Sequence, residues 1–167
     1  LEDMLKIANN ELGYSLKHPG DVNNLDTKTK GKLFLKFYLN EIFQKTYRID
    51  ADAIEQGIVD NANDKGIDFI TIDDDKVYII QTKYQYKPLK EIPDFINLPQ
   101  SIKTDLYKNT CNSELKAYFA EIKRKKNLEY NLLFVTTEKV SNEEEEYYAS
   151  LVNNEHIQFS IIDSTKL

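Results

Sequence analysis

Apolar and polar residues alternate along two neighbouring segments near the middle of the chain, and this alternation predicts two β-strands. The segments 66–72 and 76–84 are rich in β-branched and aromatic residues. Residues 73–75 are all Asp, a residue type that favours turns. Two such segments joined by a short polar turn are typical of a β-hairpin. The sequence therefore predicts a hairpin over residues 66–84.

The hydrophobic pattern also predicts the register of this hairpin. With a two-residue loop at Asp74 and Asp75, or a four-residue loop over 73–76, polar and apolar residues match across the pair. Asp68 then lies opposite Gln81. The apolar partners in this register are Ile70 with Ile79 and Ile72 with Val77. One face of the hairpin is therefore apolar near the turn and polar at the open end.

Apolar residues at helical spacing predict helices before and after the hairpin. The predicted helices lie within residues 1–16, 26–45, 51–58, 100–109 and 113–126, and from Ser141, which forms a capping box with Glu144. Two further strands are predicted at 131–137 and 156–163. Three prolines between residues 88 and 99 predict a loop that crosses the surface. This order of elements predicts an α/β fold, with a central mixed sheet flanked by helices on both faces.

The chain length and composition predict a single domain. Its 167 residues form an N-terminal helix and loop over 1–25 and a core over 26–167 in this interpretation. Because the first residue is Leu, we expect a fragment of a longer protein. The single cysteine, Cys111, excludes an internal disulfide and a four-thiolate zinc site, and it favours a reducing, cytoplasmic setting. No apolar run approaches the roughly 20 residues that span a bilayer, so no membrane partner is expected.

The charge of the chain restricts how it would bind nucleic acid. With 22 Lys and Arg residues against 28 Asp and Glu residues, the formal net charge is -6. A chain of this charge has no overall attraction for phosphate, so a nucleic-acid partner must be held by a local basic patch. The composition therefore disfavours a passive DNA-binding protein.

The polar residues at the open end of the hairpin are the candidates for chemistry. Gln81 and Lys83 are two residues apart on one strand, so they share a face, and Asp68 lies opposite Gln81. Unpaired polar groups in a buried hairpin cost on the order of 1–3 kcal/mol each, so a partner is expected. One interpretation is a Mg²⁺ site built from the Asp68 carboxylate, the Gln81 amide oxygen and a main-chain carbonyl such as that of Thr82, with Lys83 orienting water. The other is an Asp68–Lys83 ion pair, with Gln81 bonded to the backbone.

These residues also carry a resemblance to a known family. Gly66-Ile67-Asp68, a short turn and a strand that ends in Gln81-Thr82-Lys83 resemble the signature of the PD-(D/E)xK nuclease superfamily in its Mrr-like variant, in which Gln replaces the usual acid. Residues 54–84, with Asp60 and the run from Asn63 to Asp68, resemble the N-terminal part of abortive phage infection proteins of the AIPR type.

The resemblance implies a restriction-endonuclease-like core that hydrolyses DNA phosphodiester bonds with Mg²⁺ or Mn²⁺ in defence against phage. It makes Asp68 the metal-binding acid, Gln81 the substituted acid and Lys83 the catalytic lysine. The family often adds a Glu from the preceding helix, and Glu41 is the only acid inside the long apolar helix predicted here. Glu41 is therefore a candidate metal ligand and catalytic residue, or else a solvated residue near a helix end.

Basic residues outside the motif are the candidates for nucleic-acid contacts. The compact run Lys123-Arg124-Lys125-Lys126 suits a phosphate backbone, or else a solvated helix C-terminus. Lys87 and Lys90 follow the predicted strand that carries Gln81 and Lys83, and Tyr84 and Tyr86 are adjacent to them, which suits a nucleic-acid groove.

The resulting hypothesis is a metal-dependent endonuclease that acts on DNA, with RNA as an open alternative substrate. The rival hypothesis is a catalytically inactive domain of the same fold that binds nucleic acid or protein. The sequence leaves a homodimer open, and a C-terminal region of the longer protein is an expected partner.

Overall fold

The computed structural model describes residues 1–60, 62–85 and 89–167, and it is built around a four-stranded sheet in the order β1-β2-β3-β4. The strands are β1 (Phe69–Asp73), β2 (Lys76–Lys83), β3 (Glu129–Thr136) and β4 (Ile157–Ile162). The β1–β2 pair is antiparallel, whereas β2–β3 and β3–β4 are parallel. The predicted α/β fold with a mixed sheet is therefore confirmed.

The hairpin has the predicted register. Ile70 pairs with Ile79, and Asp73 pairs with Lys76, which leaves the two-residue turn at Asp74 and Asp75. Asp74 has a φ of 52°, the left-handed conformation that Asp tolerates better than most residues. Beyond the last ladder pair, the Asp68 N–H donates to the carbonyl of Ile80 at 3.0 Å. This bond holds Asp68 at the open end of the hairpin, beside Gln81.

Helices account for most of the remaining chain. Before the hairpin these are α1 (Glu2–Glu11), a 3₁₀ turn (Pro19–Asn24), α2 (Thr27–Phe37), a π turn (Tyr38–Phe43), α3 (Gln44–Tyr47) and α4 (Ala51–Gly57). After it come a 3₁₀ turn (Leu89–Glu91), α5 (Ile92–Ile96), α6 (Leu98–Lys103), α7 (Ser113–Arg124) and α8 (Asn142–Ser150). Among the described residues, no helix is long and apolar enough to cross a membrane.

The sheet is covered on both faces, because alternate residues of each inner strand enter different hydrophobic cores. One core packs α1, α2, the π turn and α4 against Phe69, Tyr78, Ile80, Leu133 and Val135. The other packs α5, α6 and α7 against Ile70, Ile79, Leu132, Phe134 and Ile161. This alternation follows from the two-residue period of a strand. The prediction of helices on both faces is confirmed.

Over its described residues, 89–99, the proline-containing segment is not a surface loop, so the prediction is wrong there, and Pro88 lies outside the described residues. Pro93 and Pro99 each lie in the first turn of a short helix, where the missing N–H has no helical partner to lose. Ile92, Phe95 and Leu98 are buried in the core that these helices share with the sheet. Proline therefore starts regular structure here instead of excluding it.

Candidate functional site

The loop between α4 and β1 brings two additional carboxylates to Asp68. Asp60, Asp64 and Asp68 are all partly buried, and each offers a carboxylate oxygen within 4.8 Å of the other two. We call these three residues the acid cluster. Oxygen ligands at such spacings are those that a divalent cation of the Mg²⁺ type accepts.

Backbone contacts at both ends of this loop place its acids. The Val59 N–H donates to the carbonyl of Asp68 at 3.0 Å, so Asp60 follows directly from a residue bonded to the hairpin. The carbonyl of Asn63 accepts a hydrogen bond from the N–H of Asn112, the residue that caps α7. The loop is therefore anchored to two elements that are far apart in sequence.

The second half of the loop has a left-handed backbone at several positions. Asn63, Lys65 and Gly66 have φ values of 64°, 58° and 75°. Asp64 stabilises this shape, because its Oδ1 accepts a hydrogen bond of 2.8 Å from the N–H of Gly66. Non-glycine residues in this region cost about 1–2 kcal/mol each. The sequence folds this way because the side chain of Asp64 closes the turn locally.

Asp68 is fixed by the strand that faces it. Its Oδ2 accepts hydrogen bonds from the N–H of Thr82 at 2.5 Å and from the Thr82 hydroxyl at 2.9 Å. Burial nevertheless raises the pKa of Asp68 to about 7, and the charge of Asp60 also raises it, against the lowering by Thr82 and Lys83. Burial likewise raises the pKa of Asp64. The nearby positive charge is therefore too small to offset the burial of Asp64 and Asp68.

Lys83 and Gln81 meet an acid that sequence reasoning did not select. Glu91, at the end of the 3₁₀ turn after β2, lies 3.0 Å from the Lys83 Nζ through its Oε2. The same oxygen accepts a hydrogen bond of 3.2 Å from the Nε2 of buried Gln81. The alternative interpretation of an Asp68–Lys83 ion pair is therefore wrong in its partner, since Lys83 pairs with Glu91. Its charge still reaches the cluster and lowers the pKa values of Asp64 and Asp68 against their burial.

The structure does not bring Glu41 into this arrangement. Glu41 lies on the π turn, its side chain is 44% exposed, and it forms an ion pair of 2.6 Å with Lys45. In an uninterrupted α-helix it would share a face with Phe34 and Tyr38, both of which are buried. A π turn has more residues per turn than an α-helix, so it changes the direction in which residue 41 points around the helix axis. Glu41 therefore faces outward.

The basic run lies at the opposite end of the sheet from Lys83. Lys125 donates from its Nζ to the carbonyl of Asp74, in the hairpin turn, at 2.8 Å. Lys76, the residue that follows this turn, and Lys83 are the first and last residues of β2, and seven residue steps between them span about 23 Å. Lys123 forms an ion pair with Asp105. Arg124 and Lys126 are exposed.

Of the other two basic candidates, Lys87 and Lys90, the structure describes Lys90. It is exposed on the 3₁₀ turn, directly before Glu91. Lys87 lies outside the described residues. A cleft of about 940 Å³ opens instead at the end of the sheet near the basic run, and its lining includes Lys103, Lys123, Lys125 and His156. The basic lining and the acid cluster are therefore at opposite ends of the sheet.

Sequence reasoning did not select Asp60, Asp64 or Glu91 as site residues. The first two carried a usable signal, because Asp60, Asp64 and Asp68 recur every fourth residue in a polar loop that enters a strand. Glu91 had no such signal, since it lies three residues after Pro88 and eight residues beyond Lys83, outside any regular pattern.

Comparison of the chain with protein-family models, with curated proteins and with solved structures gives no match. The function of the site is therefore inferred from its own geometry and chemistry.

Proposed function

We propose that this chain is a metal-dependent phosphodiesterase that cleaves DNA, with Mg²⁺ or Mn²⁺ bound by Asp60, Asp64 and Asp68. The observation that carries the proposal is the convergence of three carboxylates within 4.8 Å of one another, in reach of the charge of Lys83. An endonuclease needs this combination, because negative charge develops on the phosphoryl group during hydrolysis and must be stabilised.

The donor set fits a hard divalent cation. All three side chains of the acid cluster are carboxylates, which Mg²⁺ and Mn²⁺ prefer to softer ligands. Partly buried carboxylates that crowd together repel one another, as the raised pKa of Asp68, due first to burial and then to the charge of Asp60, indicates. A divalent cation held between them would remove both penalties.

The residues of the chain have distinct tasks in this proposal. A bound Mg²⁺ would polarise a phosphoryl oxygen and acidify a water molecule. Thr82 holds the Asp68 carboxylate in a fixed orientation through two hydrogen bonds. Lys83 offers an ammonium group to a phosphate oxygen. Gln81 lies on the same face as Lys83 and is a neutral amide, so it adds no negative charge. The acid cluster supplies the negative charge that would bind the cation.

The biological setting is proposed from the sequence motif. Residues 54–84 resemble the start of abortive phage infection proteins, and the motif residues Asp68, Gln81 and Lys83 resemble those of a restriction-endonuclease-like core. This resemblance supports DNA as the substrate and phage defence as the role. RNA is the alternative substrate, because metal-assisted phosphodiester hydrolysis does not select the sugar.

A second candidate function is a binding domain without catalysis. The observation that favours it is the engagement of Lys83 and Gln81 by Glu91, since a lysine in an ion pair is not free to meet a phosphate. In this case the same contacts would only stabilise the open end of the hairpin.

The test is cleavage of supercoiled plasmid and of single-stranded RNA with Mg²⁺, with Mn²⁺ and with EDTA. The variants are Asp68→Asn and Lys83→Met. Lys36→Met is the matched control, because Lys36 is also a partly buried lysine paired with a glutamate, Glu11, at 2.8 Å. We expect metal-dependent cleavage that falls by about 100-fold or more in both site variants, from loss of charge stabilisation, and not in the control.

Two results would contradict the proposal. The first is a wild-type chain that cuts neither substrate and gives no calorimetric signal with Mn²⁺, which would favour the binding domain. The second is equal loss of cleavage in Lys36→Met and Lys83→Met, which would assign the loss to folding. Cleavage of RNA but not of DNA would support metal-dependent phosphodiester hydrolysis and would make RNA the substrate instead of DNA.

A further inference from the structure

Glu91 contacts Gln81 and Lys83, the two polar residues that share a face at the end of β2. Its Oε2 is 3.0 Å from the Nζ of Lys83 and 3.2 Å from the Nε2 of Gln81. Gln81 is 4% exposed, and the side chain of Lys83 is 25% exposed, so neither group is free in solvent. A single carboxylate oxygen therefore holds the two motif residues together.

Lys83 has two sets of acids within reach. The first is Glu91, which it contacts directly. The second is the acid cluster, because Asp68 is hydrogen-bonded to Thr82, the residue directly before Lys83 on β2. In agreement with this proximity, the charge of Lys83 lowers the pKa values of Asp64 and Asp68, in opposition to the burial that raises them. An ammonium group released by Glu91 would move toward the three carboxylates, where the attraction is larger. It would then take the place that a divalent cation requires.

We propose that Glu91 is a positioning residue that holds Lys83 beside the acid cluster and prevents it from entering the cluster. This inference rests on the proposed function for its purpose, which is to keep the cluster available for a cation. The restraint itself depends only on the Glu91–Lys83 contact. In this proposal Glu91 acts on Lys83 through Oε2, the oxygen that contacts Lys83 and Gln81, and not as a metal ligand.

The first experiment measures Mn²⁺ affinity by calorimetry in the wild type, Glu91→Gln, Lys83→Met and the double variant. Glu91→Gln keeps the shape of the side chain, and Glu91 forms no side-chain cap for α5, so no capping bond is lost. We expect Glu91→Gln to weaken Mn²⁺ binding by about fivefold or more. Lys83→Met added to it should restore the wild-type affinity or exceed it, because the competing ammonium is gone.

The matched control is Glu11→Gln, which removes the acid of another glutamate–lysine pair with the same 36% exposure of the glutamate. It should leave Mn²⁺ affinity unchanged. A loss in Glu91→Gln that persists in the double variant would make Glu91 a ligand and overturn the proposal. Unchanged affinity in Glu91→Gln would overturn it as well.

The second experiment is independent of metal binding and of activity. It is a crystal structure of metal-free Glu91→Gln. We expect the Lys83 Nζ within about 4 Å of a carboxylate oxygen of Asp64 or Asp68, the usual limit for an ion pair. A Lys83 that stays at its present position would overturn the proposal. If the wild type binds no Mn²⁺ but Lys83 moves in the variant, the proposed function fails and the restraint by Glu91 stands.

Discussion

Two aspartates of this chain show how local contacts decide the charge of a carboxylate. Burial would raise the pKa of Asp163, but hydrogen bonds from the N–H and hydroxyl of Thr165 and from the N–H of Val140 outweigh it, so the pKa is lowered. At Asp68, burial outweighs the bonds from Thr82 and raises the pKa to about 7. Asp163 is therefore a structural anion, whereas Asp68 gains from protonation or from a cation.

The raised pKa of Asp68 predicts how stability varies with pH in EDTA. The folded state binds this proton more tightly than the unfolded state, whose pKa is near 3.8, so Asp68 lowers the free energy of unfolding as pH rises from about 4 to 7. Asp68→Asn removes this decrease in the free energy of unfolding. The free energy of unfolding of the variant, relative to that of the wild type, should therefore rise by on the order of 2–4 kcal/mol between pH 4 and pH 8, as measured by urea unfolding.

Asp163→Asn is the control of opposite sign. The lowered pKa of Asp163 stabilises the fold above about pH 4, and this stabilisation is lost as pH falls through the folded-state pKa. The variant should therefore be less stable than the wild type at neutral pH, and the difference should shrink in acid. A stability difference for Asp68→Asn that does not change with pH would contradict the prediction.

At the scale of elements, the loop from α4 to β1 depends on close backbone approaches. Gly57 ends α4 where an added Cβ would lie 2.4 Å from the ring of Phe69 and 2.6 Å from the carbonyl of Ile70. Gly66 has a φ of 75°, and an added Cβ would lie 3.0 Å from the Nε2 of Gln81. The two glycines thus let the loop run against the hairpin and present its acids there.

Gly66→Ala should destabilise the fold by about 1–2 kcal/mol, because alanine is strained at this φ and its methyl group displaces the amide of Gln81. Gly31→Ala is the control, since Gly31 lies inside α2 and an added Cβ there would meet open space. There alanine should stabilise by about 0.5–1 kcal/mol through its higher helix propensity. Thermal or urea unfolding measures both, and changes of the same sign would refute this account of Gly66.

At the scale of the whole molecule, the sheet separates two regions of opposite charge. The acid cluster lies at the open end of the hairpin, and the run Lys123–Lys126 lies near its turn. Lys123 and Lys125 are engaged by Asp105 and by the carbonyl of Asp74. Within the described part of the chain, Arg124 and Lys126 have no such ion pair or hydrogen bond, so these two are available to phosphate.

If the chain cleaves DNA as proposed, the separation of about 23 Å predicts that the basic run contacts the duplex several base pairs from the acid cluster. Arg124→Gln with Lys126→Gln should weaken binding of a duplex of about 20 base pairs and reduce the slope of log K against log salt by about 1.8. Fluorescence polarisation in EDTA measures this slope. Lys28→Gln with Lys32→Gln, on the exposed side of α2, removes the same charge elsewhere. Equal slopes for both double variants would mean that the run makes no specific contact.

Several elements were predictable because their physics is local. The hairpin register follows from pairing Ile70 with Ile79, which one residue of slip would destroy. Asp26 caps α2 by accepting from the N–H of Thr29, and Ser141 forms its capping box with Glu144, as short sequence motifs indicate. The proline segment was not predictable in this way, because whether a proline begins a helix or breaks one depends on what the next apolar residues can pack against.

The sequence by itself determined the strands, their register and the shared face of Gln81 and Lys83, since each follows from a period of two residues and from turn chemistry. Only the tertiary structure decided which acids join Asp68. Asp60 and Asp64 lie beside Asp68 because their loop is anchored to the hairpin and to α7. Glu41 points away from Asp68 because it lies on a π turn. Side-chain convergence depends on backbone direction over many residues, and this direction is set by long-range packing.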